Sequence, residues 1–149
     1  MKKTFLMLSL ACLALLTTAC GSSDKLVCTM GEDNEKEEIT FTFKDGKAYE
    51  VEGKTTMSFE TEEELEEAKG YSSFLTLGYT MLGAKSSVDT DGLDLIVKFN
   101  GNIADMEKAA ESLNEGSEEK DGGSSLPFSS SMNKDDLKES LEAEGYSCK

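Results

Sequence analysis

The chain contains no histidine and no tryptophan, a single proline, and no arginine, so all fifteen of its basic residues are lysine. Each absence closes a door. Serine–histidine and cysteine–histidine catalysis need an imidazole, and so do histidine-bearing zinc sites. Cysteine is scarce: Cys12, Cys20, Cys28 and Cys148 stand far apart. No C-x-x-C pair exists to support thiol redox chemistry, and two distant cysteines do not make a structural zinc site. Positive charge is outnumbered, with thirty acidic residues and a formal net charge of −15. That excludes nucleic acid as a partner, since phosphate neutralisation needs clustered cations. It also argues against adhesion to anionic lipid headgroups. Carboxylate-only acid/base chemistry survives, but so many acids place some pair together by chance.

What is present begins with a leader. Lys2 and Lys3 precede the apolar run 5–16, followed by Thr17-Thr18-Ala19-Cys20 and Gly21-Ser22-Ser23-Asp24. A charged start, a short apolar run and small residues before a cut site make a secretory signal over residues 1–19. A cysteine directly after the small residues fits a bacterial lipoprotein signal, with Cys20 as the new N-terminus and its thiol as the lipid carrier. Leu16 sits one step further back than the usual lipoprotein box prefers, and plain secretory cleavage after Ala19 fits the same residues. Cysteine counting favours lipidation. It leaves the even pair Cys28 and Cys148, whereas plain secretion leaves three cysteines and an exposed thiol. Losing Lys2 and Lys3 moves the formal charge from −15 to −17. The expectation is a protein on the extracytoplasmic face of a bacterial cell membrane, touching the membrane through its lipid anchor alone.

Residues 20–27 form a short tether, reaching only roughly 25 Å when extended. Residues 28–149 are one domain's worth of chain. The pattern predicts a single α+β domain: an antiparallel sheet from two hairpin regions, packed against a long central helix and a C-terminal helix. A first strand is expected over 26–30, then an acidic turn over 32–38. Ile39, Phe41 and Phe43 alternate with threonines as a half-buried strand. Asp45-Gly46 is a tight-hairpin signal, Tyr49 and Val51 lie on the return strand, and Gly53 is read as its end. A further strand is expected over 55–59.

Thr61-Glu62-Glu63-Glu64 is a capping box. Leu65, Ala68, Ser72, Leu75, Tyr79 and Leu82 form an apolar stripe, which Phe74, Leu77 and Met81 are expected to widen, with Tyr71 partly exposed. Gly70 and Gly78 weaken the helix, and Gly83 stops it. A second hairpin turns at Asp91-Gly92, with Leu93, Leu95, Val97 and Phe99 on one side. Asn102 caps a short helix carrying Ile103, Met106, Ala110 and Leu113. A flexible Ser/Gly-rich loop is expected over 115–131, with Leu126-Pro127-Phe128 as an apolar island in it. Asn133 caps a last helix, whose Leu137 and Leu141 face the core and whose end is Gly145.

Outside the cytoplasm, Cys28 and Cys148 are expected to bond, stabilising the fold by about 4 kcal/mol in the chain-entropy picture. Asp89-Thr90-Asp91-Gly92 hints at a calcium loop, but the register puts Ser87 first and Lys98 twelfth, where a bidentate glutamate belongs. The acidic runs 32–38 and 60–67 read as solvated surface. No metal, cofactor or catalytic residue is expected.

The pieces Cys20, Leu26-Val27-Cys28-Thr29, Phe41-Thr42-Phe43-Lys44-Asp45-Gly46-Lys47 and Leu141-Glu142-Ala143-Glu144-Gly145-Tyr146-Ser147-Cys148 resemble the YehR-like small bacterial lipoproteins, a family of unknown function. The resemblance spans most of the mature chain, through structural rather than chemical motifs, and implies a lipid-anchored α+β domain. Three functions follow in descending order: a non-enzymatic envelope interaction module with a protein partner, itself a monomer; a small-ligand or cation-binding accessory lipoprotein; and a carboxylate hydrolase.

Overall fold

The computed structural model describes residues 24–115 and 126–149. Cys20, the signal segment and most of the Ser/Gly-rich loop therefore lie outside the described residues.

Six strands form one antiparallel sheet. They are β1 (Asp24–Glu32), β2 (Glu35–Lys44), β3 (Lys47–Ser58), β4 (Lys85–Asp91), β5 (Asp94–Asn102) and β6 (Ser147–Cys148). Their order across the sheet is β4-β5-β3-β2-β1-β6. The helices are α1 (Glu62–Met81), α2 (Ile103–Glu115) and α3 (Lys134–Ala143). The α+β architecture follows.

Hairpin chemistry sets the registers. Asp45 (φ 52°) and Gly46 (φ 76°) both take left-handed backbone, the conformation a two-residue turn demands. The acidic stretch 32–38 is not one turn: only Asp33-Asn34 turn, and Glu35 to Glu38 belong to β2. Ladder bonds on both sides hold that segment extended while its acids mostly face water.

Gly53 does not end β3. The strand runs through it from Lys47 to Ser58 because Gly53 lies across from Phe99 on β5. A Cβ there would stand 2.0 Å from the Phe99 ring, so glycine is the residue that lets the ring lie over the strand. A bulge at Tyr49 shifts the β2–β3 register. It lets Ala48 and Val51 both face inward and leaves Tyr49 exposed, with Lys44 Nζ 5.3 Å from its ring.

All three helices cover the same face of the sheet. Leu26, Phe41, Val51, Ile103, Met106, Leu137 and Leu141 are essentially sealed from solvent in one core. α2 packs on β3 and β5, α3 on β1 and β6, and α1 on β4 and β5. Leu65 on α1 and Leu95 and Val97 on β5 are buried in that last region.

The caps fall where the local chemistry puts them. Thr61 Oγ1 accepts from Glu64 N–H at 3.3 Å, and Glu64 Oε2 accepts from Thr61 N–H at 3.3 Å. α1 ends with Gly83 N–H donating to Thr80 O and Ala84 N–H to Tyr79 O, with Gly83 at φ 76°. Asn102 Oδ1 accepts from Asp105 N–H to start α2, and Asn133 Oδ1 accepts from Asp136 N–H to start α3.

Several apolar expectations fail by position. Leu75, expected on the core stripe of α1, is 48% exposed, because only Leu65 and Ser72 of that helix are buried. Leu93 occupies the turn Gly92-Leu93 rather than the strand, so it is exposed. Leu113, near the end of α2, is also exposed. In the expected loop, residues 126–131 pack on the body: Phe128 is buried edge-on to Phe41, with ring centroids 5.4 Å apart.

Candidate functional site

The sheet has two unlike faces. One carries the helices. The other is open and polar, built by alternation from Thr40 and Glu38 on β2, Glu52 and Lys54 on β3, Lys98 and Asn100 on β5, and Lys85 and Ser87 on β4. These residues line a hollow of about 480 Å³. Lys54 stands directly opposite Lys98 on one side and Glu38 on the other. Like charges in register repel. Lys98 turns to Asp89, 3.2 Å away on β4. Lys54, Lys85 and Lys98 share this hollow with Glu38 and Glu52, so its charges are mixed.

On the helical face, Glu37 is the half-buried carboxylate of β2. Tyr146 Oη donates to Glu37 Oε2 at 2.9 Å. Burial pushes the Tyr146 phenol well above its usual pKa, and the bonded, charged Glu37 pushes it further. Tyr79 is raised too, first by burial and then by Glu37. Its ring stacks on Phe99 at 4.2 Å. A phenol held protonated against a carboxylate is a fastening here: it ties the chain end to β2.

Beside it, Cys28 and Cys148 face each other in the β1–β6 register, Cα atoms 4.0 Å apart and sulfurs at disulfide distance. Val27 and Lys149 exchange backbone bonds of 3.1 and 2.8 Å alongside them. A further contact joins α2 to residues 129–131, where Ser130 Oγ donates to Glu107. Partial burial works to raise the Glu107 pKa, but bonds from Ser130 and Ser129 outweigh it and leave the carboxyl below its usual value.

The third surface is the outer side of α1. Only Leu65 and Ser72 of this helix are buried. Tyr71 is 77% exposed, Phe74 74%, Leu77 56% and Met81 52%. Phe74, Leu77 and Met81 therefore do not widen the core stripe; they point away from the sheet. With roughly 150–250 Å² presented by a large aromatic, the patch is on the order of 500 Å², comparable to the largest apolar patch of a typical monomer, which is often functional. Around it the helix is wrapped in satisfied hydroxyls. Ser72 Oγ donates to Lys69 O at 2.7 Å, Thr76 Oγ1 to Ser73 O at 3.0 Å and Thr80 Oγ1 to Thr76 O at 2.8 Å. Such back-bonded hydroxyls ask nothing of solvent.

The residues singled out from sequence divide accordingly. Cys28 and Cys148 come together, while Cys20 lies outside the described residues. The acidic runs gather no metal site: among the described residues no group of three or more His, Cys, Asp or Glu side chains is placed to hold an ion. No helix of the described residues is long and apolar enough to cross a membrane. The lysine hollow escaped the sequence reading. Its signal was the polar alternation Glu52/Lys54 and Lys98/Asn100, which becomes a site only once the β3–β5 register is known.

No family model, no curated protein and no solved structure matches the chain.

Proposed function

We propose that the chain is a lipid-anchored, extracytoplasmic interaction module that works without catalysis, held at a bacterial cell membrane through Cys20. The observation that carries this reading is the apolar outer side of α1, which no described residue covers. Exposed apolar patches of this size mark surfaces for association. The placement of β1 supports the same reading. The strand begins at Asp24, four residues past Cys20, so residues 24–27, expected in the tether, belong to the sheet, with Leu26 in the core. A lipid on Cys20 would hold the sheet within roughly 15 Å of the bilayer surface.

Photo-crosslinking in cells tests the reading. The full chain, with a photoreactive residue at Phe74 and, separately, at Thr40 on the open face, should trap one dominant envelope protein from at least one position. Trapping none above background from either overturns it.

A second reading, a small-ligand accessory lipoprotein, is favoured by the lysine-ringed hollow of the open face. It calls for an anionic or zwitterionic ligand rather than a cation. Calorimetry with small dicarboxylates and phosphates, against a Lys54→Ala Lys98→Ala variant, tests it.

A further inference from the structure

We propose that the outer face of α1 docks a helix of another envelope protein, one whose apolar stripe continues into a lysine- or arginine-rich end. This rests on the interaction-module reading and names the partner's chemistry. A single line runs along the exposed side of α1: Glu63, Glu66 and Glu67, then Gly70, Tyr71, Phe74, Leu77, Gly78 and Met81, at helical three- and four-residue steps. Its first two turns are acidic. From Gly70 through Ala84 no residue is charged. The whole line spans about 27 Å, the length of a five-turn partner helix. Midway and near its end, Gly70 and Gly78 leave open space where a Cβ would meet nothing within 4 Å. Two helix axes can therefore approach closely there.

Charge selects among occupants. A second copy of the cleaved chain would bring a second formal charge of −17 to the contact, −15 less Lys2 and Lys3. Lys69 already pairs with Glu66 at 2.6 Å, so any overlap longer than the uncharged half would lay Glu63 and Glu67 on an apolar surface with no counter-charge from the partner copy. A membrane surface meets the same glutamates with its own anionic headgroups. A helix that is apolar where α1 is apolar and basic where α1 is acidic satisfies both halves of the line at once.

The full chain carried in a phosphatidylcholine nanodisc, with a photoreactive phenylalanine at Phe74, is irradiated with two synthetic helical peptides of about three heptads. Both share one leucine stripe. One carries lysines at a single end, the other glutamates. The expected result is an adduct with the lysine peptide, its yield falling about tenfold with the glutamate peptide and by a similar factor in a Glu63→Lys Glu66→Lys Glu67→Lys background. The same photoreactive group at Thr40 should give none. Equal yields with the two peptides, no adduct with either, or a yield untouched by the three reversals overturns the proposal. So does a chain-to-chain adduct, which assigns the face to a second copy, or a lipid adduct, which assigns it to the bilayer. In cells, partner capture from Thr40 but not from Phe74 would overturn this inference while leaving the interaction-module reading standing.

Discussion

The helical layer is divided into two parts that obey different rules. On the β3-β2-β1-β6 side, α2 and α3 bury every large apolar side chain they carry except Leu113: Ile103, Met106, Leu137 and Leu141 are all sealed. On the β4-β5 side, α1 is the longest helix and buries only Leu65 and Ser72 fully. The first arrangement is how a helix stabilises a sheet. In the second, a helix is held by its ends: a capping box at Thr61, Tyr79 stacked on Phe99, and the Gly83 stop. Most of its apolar surface is left unspent on the fold. The contrast therefore separates apolar surface that stabilises the sheet from apolar surface that no described residue covers, and it is on the second that the proposed association rests.

The largest expected effect tests the anchored side. Reducing the Cys28–Cys148 pair, or replacing Cys148 with Ser, frees a chain end that closes a loop of sequence separation 120. By the chain-entropy picture the loss is about 5 kcal/mol, a little above the expectation from sequence, read as a drop in urea midpoint. Non-reducing peptide mapping of exported protein should first show the Cys28–Cys148 link. Two free thiols there would remove the basis of this prediction.

A paired substitution then compares the two sides directly. Leu141→Ala opens a cavity beneath α3 and should cost roughly 2–5 kcal/mol. Phe74→Ala removes a larger side chain from α1 and should change stability by less than about 0.5 kcal/mol. Comparable losses would mean that Phe74 is part of the core and that the contrast is false.

How legible this was in the sequence depends on how far each cause acts. Asp45-Gly46, Thr61 with Glu64, Asn133 with Asp136, and Gly83 all work within a few residues, and all lie where the local pattern puts them. Gly53 reads locally as a break, and its real reason is a Phe99 ring brought across by strand pairing. The apolar residues of α1 fall on two adjoining stripes, and periodicity alone merges them. Which stripe meets the sheet is decided by β4 and β5, and their placement leaves Phe74, Leu75, Leu77 and Met81 on the solvent side. The lysine hollow is scattered over four strands and exists only in their register. Cys28 and Cys148 were legible despite their distance, because compartment and cysteine parity left few partners.

A smaller change sharpens the account of α1 as a helix held by its ends. Thr61→Ala deletes the side-chain acceptor for Glu64 N–H and should cost about 1 kcal/mol. Because little of α1 is buried, the loss should appear as faster amide exchange within α1 while α3 keeps its protection. Equal acceleration in both helices would show that the layer opens as one unit.

The smallest expected effect appears only in alkali. Tyr146 is bonded to Glu37 near the anchored chain end, and its pKa is raised first by burial and then by that carboxylate. The sign follows directly. Below the unfolded tyrosine value of about 10, both states keep the proton and the stabilisation is complete. As pH climbs past that value the unfolded chain ionises while folded Tyr146 does not, so stability falls until the folded phenol ionises as well. In a phenolate absorbance titration, Tyr146→Phe should delete the latest phase. Glu37→Gln should keep that phase and move it to lower pH, since the charge beside the phenol is gone while burial remains. It should move the Tyr79 phase in the same direction, because Tyr79 also feels Glu37. If Glu37→Gln moves neither phase, the carboxylate does not join the two sides, and Tyr146 is held at the chain end by burial and the backbone pairing of β6 alone.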